Sequence, residues 1–143
     1  MAQGAFSFGQ AAQDAGAAIE VTSESLGVDQ NDNSALFTGD VVISRGGMRL
    51  AAPRVRVIYL PDRSGIETLE ASGGVTLTSG ADAAEAREAA YNLVTGRIEL
   101  RGDVLLVQGA NAISGDRVIV DTNAGTAQVS GRVRTILGPQ DRP

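Results

Sequence analysis

The side chains able to do chemistry in this chain are few and of limited kinds. Three aspartates stand beside glycines, in Gly39-Asp40, Gly102-Asp103 and Gly115-Asp116. Carboxylates so placed can hold Ca²⁺ or share acid–base work, but aspartate also favours turns by accepting hydrogen bonds from nearby backbone N–H groups. The turn role is the preferred reading. Arginines alternate at Arg54 and Arg56 and again at Arg132 and Arg134, and alternate positions of a strand share a face. Such a face is either solvated or a contact for phosphate, and the 132/134 pair is the better phosphate candidate.

What is missing narrows the chemistry further. The chain contains no His and no Cys. This removes imidazole acid–base catalysis, Ser-His-Asp and Cys-His arrangements, the usual zinc sites and disulfides. No Gly-x-x-x-x-Gly-Lys phosphate loop occurs, since all of its cationic side chains are arginines. The net charge of -5 and pI near 4.6 lack the basic footprint of a nucleic-acid binder. The expectation is a non-enzymatic protein with no catalytic residue, no metal site, no cofactor and no nucleic-acid partner.

The elements that hold these residues come from a repeat. Gly39-Asp40-Val41, Gly73-Gly74-Val75, Gly102-Asp103-Val104 and Gly131-Arg132-Val133 recur at steps of 34, 29 and 29 residues. Periods of this size mark stacked repeat units. Further glycines follow at Gly46, Gly80 and Gly109, then at Gly65, Gly96 and Gly125. The unit reads strand, turn, strand, turn, and a dozen or more short antiparallel strands are expected. Residues 81–90 are rich in Ala and Glu, which propensity alone assigns to helix. In the repeat Arg87-Glu88-Ala89-Ala90-Tyr91 overlies the strand Asp116-Arg117-Val118-Ile119-Val120, so a strand is expected there. Residues 1–17 are small, polar and aperiodic and read as a flexible arm carrying Phe6 and Phe8. Residues 18–138 form the domain, and 139–143 a tail. Met1 leads into Ala2-Gln3-Gly4 without the basic start and apolar stretch of a secretory leader.

The run Phe37-Thr38-Gly39-Asp40-Val41-Val42-Ile43-Ser44-Arg45-Gly46-Gly47-Met48-Arg49-Leu50, preceded by Ile19-Glu20-Val21 and Leu26-x-Val28, resembles the LptA/OstA-like family of periplasmic lipopolysaccharide-transport proteins. Tyr91-Asn92-Leu93-Val94-Thr95-Gly96, Leu100-Arg101-Gly102-Asp103-Val104 and Gly115-Asp116-Arg117 repeat the signature. The resemblance covers roughly residues 19–137 and rests on the order and spacing of short motifs. It implies an all-β fold, a twisted open antiparallel jellyroll, and a periplasmic location for a mature form. It also implies a groove that shields lipopolysaccharide acyl chains between the inner and outer membranes. The implied partners are LptC-like and LptD-like domains of the same shape, and further copies of the chain joined head to tail.

By the same resemblance Ile19, Val21, Tyr91 and Leu93 match groove-lining positions. Val41, Ile43, Val75, Leu77, Val104 and Leu106 are sheet-core residues that can also face lipid. Open sheet edges carry unpaired backbone groups, so the first strand near Ile19 and the last near Val133, Thr135 and Ile136 are the expected joints. Two other readings stay open: a ligand-free self-assembling scaffold, or the corresponding domain of an outer-membrane partner. A β-solenoid glycan hydrolase ranks below these, because it needs paired carboxylates.

Overall fold

A computed structural model describes residues 18–139; the expected arm 1–17, with Phe6 and Phe8, and residues 140–143 of the tail lie outside the described residues. The described chain is all β, and its ten strands form one antiparallel sheet. These are β1 (Ile19–Thr22), β2 (Ser25–Asp29), β3 (Ser34–Arg45), β4 (Met48–Tyr59), β5 (Ile66–Ser79), β6 (Asp82–Asn92), β7 (Arg97–Gln108), β8 (Asn111–Asp121), β9 (Thr126–Ser130) and β10 (Arg134–Ile136). β3 to β8 pair in chain order as a meander. β1 and β2 lie along the two ends of β3, and β9 and β10 along the two ends of β8. The sheet is thus eight strand-widths across, and its outermost strands are each broken once.

The strands are fewer and longer than the repeat suggests, because three of the four Gly-x-Val glycines, Gly39, Gly73 and Gly102, lie inside strands and do not end them. They crease them. In each meander pair one register shift falls on a common line, at Thr38/Val41, Ala51/Arg54, Ser72/Val75, Glu85/Glu88 and Arg101/Val104. On this line β3, β5 and β7 insert Gly39-Asp40, Gly73-Gly74 and Gly102-Asp103, all at positive φ, while β4, β6 and β8 carry Pro53, Arg87 and Asp116. Extra residues of this kind are β-bulges, which bend a strand and increase its twist. The leading glycine is required twice over at Gly102: φ is 87°, and a Cβ would stand 2.8 Å from Cβ of Arg87. Gly131-Arg132 makes the same crossing between β9 and β10, so Arg132 and Arg134 do not share one regular strand.

The crease divides the sheet into two halves. One ends in the two-residue turns Gly46-Gly47, Gly80-Ala81 and Gly109-Ala110, with positive φ at Gly46, Gly80 and Gly109, where a type II′ hairpin needs it. The other ends in the longer loops at residues 30–33, 60–65, 93–96 and 122–125. The apolar residues of both halves point into one core. It contains Val41, Ile43, Leu50, Val75, Leu77, Val104 and Leu106 from the tight-turn half and Val55, Val57, Leu69, Tyr91, Ile98, Leu100 and Val118 from the loop half. A sheet creased so that its halves face each other is the open jellyroll expected from the sequence.

The Ala/Glu-rich segment is strand β6, with Ala84, Ala86, Ala89 and Tyr91 buried in alternation that changes phase at Arg87. It is hydrogen-bonded on both sides, to β5 and β7. Sheet context overrides helix propensity here.

Candidate functional site

Between the two halves lies a small apolar cavity lined by Ile19, Ile43, Arg45, Met48, Leu50, Leu69, Leu77, Ala89, Tyr91 and Ile98. The tight-turn half supplies Ile43 and Arg45 from β3, Met48 and Leu50 from β4, Leu77 from β5, and Ile19 from β1. The loop half supplies Leu69, Ala89, Tyr91 and Ile98 from β5, β6 and β7. The grouping follows from pairing: Ile19 opposes Arg45, Leu50 opposes Leu77, and Tyr91 stands between Leu69 and Ile98. Only Arg45 is charged. Its Nη1 donates a 3.1 Å hydrogen bond to Oη of Tyr91, tying the tight-turn end of one half to the face of the other. A buried tyrosine hydroxyl needs such a partner.

The free volume is about 20 Å³, room for roughly one water and far below the ~300 Å³ of a small ligand pocket. The cavity is therefore too small to hold a chain molecule as it stands, and admitting one would require the halves to part. Its walls suit that. Met48 is a flexible filler, and the two halves are joined at this end through a side-chain hydrogen bond rather than backbone pairing.

Of the residues read from the sequence as lipid contacts, Ile19, Ile43, Leu77 and Tyr91 line this cavity. Val41, Val75, Val104 and Leu106 are buried elsewhere in the core, and Val21 packs half-buried against it. Leu93 lies past the end of β6 in a turn, half-buried, with its N–H bonded to the carbonyl of Glu67. Arg45, Met48, Leu50, Leu69, Ala89 and Ile98 were not singled out by the sequence reading. Five are ordinary apolar strand residues with no local signature. Arg45 does carry one, as a cation placed in the inward phase of a strand after Val41 and Ile43.

The polar candidates lie elsewhere. Asp103 pairs with Arg87 and Asp116 with Arg132 along the crease, and no three acidic side chains cluster as a metal site among the described residues. Asp116 holds the Arg132 guanidinium above its usual pKa, by hydrogen bond first and charge second. Asp62 in the β4–β5 loop is held below the usual carboxylate value by the hydroxyl and then the N–H of Ser64. Arg56 is paired with Asp32 at 2.7 Å, and Arg54 is exposed. Of the edge residues, Thr135 and Ile136 are in β10, Val133 precedes it, and all three are exposed.

Comparison with known proteins places this geometry. Residues 20–126 match the family described as LptA/(LptD N-terminal domain) LPS transport protein. An uncharacterized protein of Rhizobium meliloti (strain 1021) is 32% identical over 135 residues, spanning 87% of this chain and 73% of that protein. The crystal structure of LptH from Pseudomonas aeruginosa superposes with a TM-score of 0.80 at 18% identity, over 88% of this chain and 99% of that one. LptH is described as the LptA-homologous periplasmic component of a lipopolysaccharide transport device. At that identity the likeness establishes the fold.

Proposed function

This chain belongs to the LptA/LptD N-terminal-domain family of lipopolysaccharide-transport proteins, and on that premise we propose that it is a non-enzymatic carrier of lipopolysaccharide in the periplasm. It shields acyl chains between the two halves of its creased sheet. It bridges LptC-like and LptD-like domains of the same shape, and it joins to further copies head to tail. The observation that carries this reading is the apolar cavity with Ile19, Ile43, Leu77 and Tyr91 in its wall and the Arg45–Tyr91 hydrogen bond across it. Each methylene moved from water into such a wall contributes about 0.8 kcal/mol. Transfer from one wall to the next of equal polarity is nearly neutral, so direction is imposed by the machinery on either side.

Incorporating a photo-crosslinking residue at Tyr91, with exposed Asp62 as control, tests the carrier reading against lipopolysaccharide. The expected outcome is a lipid adduct at 91 and none at 62. Folded protein with dispersed lipid and an adduct at neither position defeats the carrier reading and favours the ligand-free scaffold.

A further inference from the structure

The sheet is built of four hairpins, and each repeats one order at the crease. A strand running from the tight-turn half to the loop half crosses on one residue. The returning strand crosses on a glycine-led pair. The sequence of crossings is Glu24 then Gly39-Asp40, Pro53 then Gly73-Gly74, Arg87 then Gly102-Asp103, and Asp116 then Gly131-Arg132. Within each hairpin the glycine lies against the single residue. A Cβ on Gly39 would stand 2.7 Å from Cβ of Glu24, and one on Gly131 2.6 Å from Cβ of Asp116. Three of the four pairs are followed by the next hairpin's single residue. The fourth, between β9 and β10, is followed by no further strand of the sheet among the described residues, and Glu24, between β1 and β2, has no strand on its outer side among the described residues. The two broken edge strands also run in opposite directions across the crease, as antiparallel partners must.

Resting on the head-to-tail reading above, we propose that the crease sets the register of the joint between two copies of this chain. Gly131-Arg132 of one copy stands opposite Glu24 of the next, Ser130 beside its Ser25, and Val133 beside its Ser23. This is the rule that every internal hairpin boundary obeys. The residue before the pair aligns with the residue after the single one, as in Thr38↔Arg54, Ser72↔Glu88 and Arg101↔Arg117. The residue after the pair aligns with the one before it, as in Val41↔Ala52, Val75↔Ala86 and Val104↔Gly115.

The exposed apolar residues agree. Leu26 and Val28 are 54% and 66% exposed, yet they pair with Phe37 and Ala35 and so face inward. Leu137 is 74% exposed and shares the inward phase of Thr135, which pairs with Ile113. In the proposed register Leu26 and Val28 of the next copy meet Val129 and Ala127, and Leu137 meets Ile19. A slip of one residue would turn the whole row outward. A slip of two would set the bulge of one copy against regular strand of the other. Charge points the same way. Glu24 neighbours the like-charged Asp40 on the crease, whereas Arg132 brings it an opposite charge.

Because the chain has no cysteine, the register can be mapped by disulfides in the full chain. Ser25→Cys with Ser130→Cys tests the proposed alignment, and Gly27→Cys with Ser130→Cys tests a two-residue slip on the same face. Oxidation is expected to give a ladder of linked multimers from the first variant, at least tenfold more than from the second. Arg132→Glu and Glu24→Arg should each shift sedimentation toward single chains, and the double exchange should restore assembly. That rescue cannot come from Asp116, whose bond to Arg132 is lost in the single and the double variant that carry Arg132→Glu. A ladder from the slipped pair, or no rescue, overturns the register while head-to-tail joining stands. Single chains at every concentration overturn both, and dimers linked through Ser130→Cys alone show two-fold edge pairing instead.

Discussion

Tyr91 and Arg45 decide how firmly the cavity is shut. Tyr91 is 7% exposed, it stands between Leu69 and Ile98 in the sheet, and its hydroxyl accepts from Arg45 across the cavity. That bond exists only while the halves are together. Tyr91→Phe keeps the ring and deletes the acceptor, which costs the closed state about 1 kcal/mol net. A state already parted by an acyl chain loses nothing. The variant should therefore unfold at a lower temperature without ligand while retaining fluorescent lipopolysaccharide as well as or better than the parent. Equal losses in both measurements would mean that the bond survives lipid entry. The neighbouring positions Ile43 and Leu77 offer no such split, because trimming them removes apolar contact from the open and closed states alike.

Strand β6 shows what an element inherits from its neighbours. Its alanines and glutamates favour helix, but β5 and β7 claim its backbone on both sides. On the outer face Glu85 stands exposed between Thr76 and Leu105. A threonine there fits the pleat and makes a Thr–Thr cross-strand pair. Glu85→Thr should raise stability by roughly 0.5 kcal/mol, read as a higher urea midpoint with an unchanged slope; a loss would show that Glu85 has a role the sheet geometry does not provide. The same element explains what was legible in the sequence. Repeat alignment outweighs propensity at β6, and the order of Gly-x-Val motifs gives the antiparallel all-β class but not the strand number or bounds. The crease was hidden because glycine marks hairpin turns and bulges alike. One signal does separate them, namely the phase of alternation. Inward residues run Leu50, Ala52 and then Val55, Val57 in β4, and Ala84, Ala86 and then Ala89, Tyr91 in β6. A strand that merely ended would have no phase to change. The cavity wall was half legible for a related reason. Neighbours within a strand can be read from the sequence, but which inward residues of one half meet those of the other depends on how sharply the crease bends.

For the molecule as a whole, charge and apolar surface are divided in a way that bears on its ligand. The chain carries a net charge of -5, and the ion pairs of Arg101 with Glu88 and Arg117 with Glu99 lie on the outer face of the sheet. The interior between the halves holds apolar side chains and the one guanidinium of Arg45. On the proposed carrier reading, an anionic glycolipid approaching this protein would be repelled at long range and held, once inside, by methylene burial at about 0.8 kcal/mol each. Repulsion of this kind is screened by salt, over a distance that falls from ~30 Å at 0.01 M to ~8 Å at 0.15 M ionic strength. Apolar burial is not screened. Binding driven by the acyl chains should therefore hold steady or tighten slightly as salt rises across that range. Binding driven by arginine contacts to phosphate should weaken instead. Titration of labelled lipopolysaccharide at the two ionic strengths distinguishes them. The expected change is less than about threefold and in the tightening direction, and a tenfold loss at the higher salt would assign the affinity to Arg45 and the outer arginines rather than to the cavity wall.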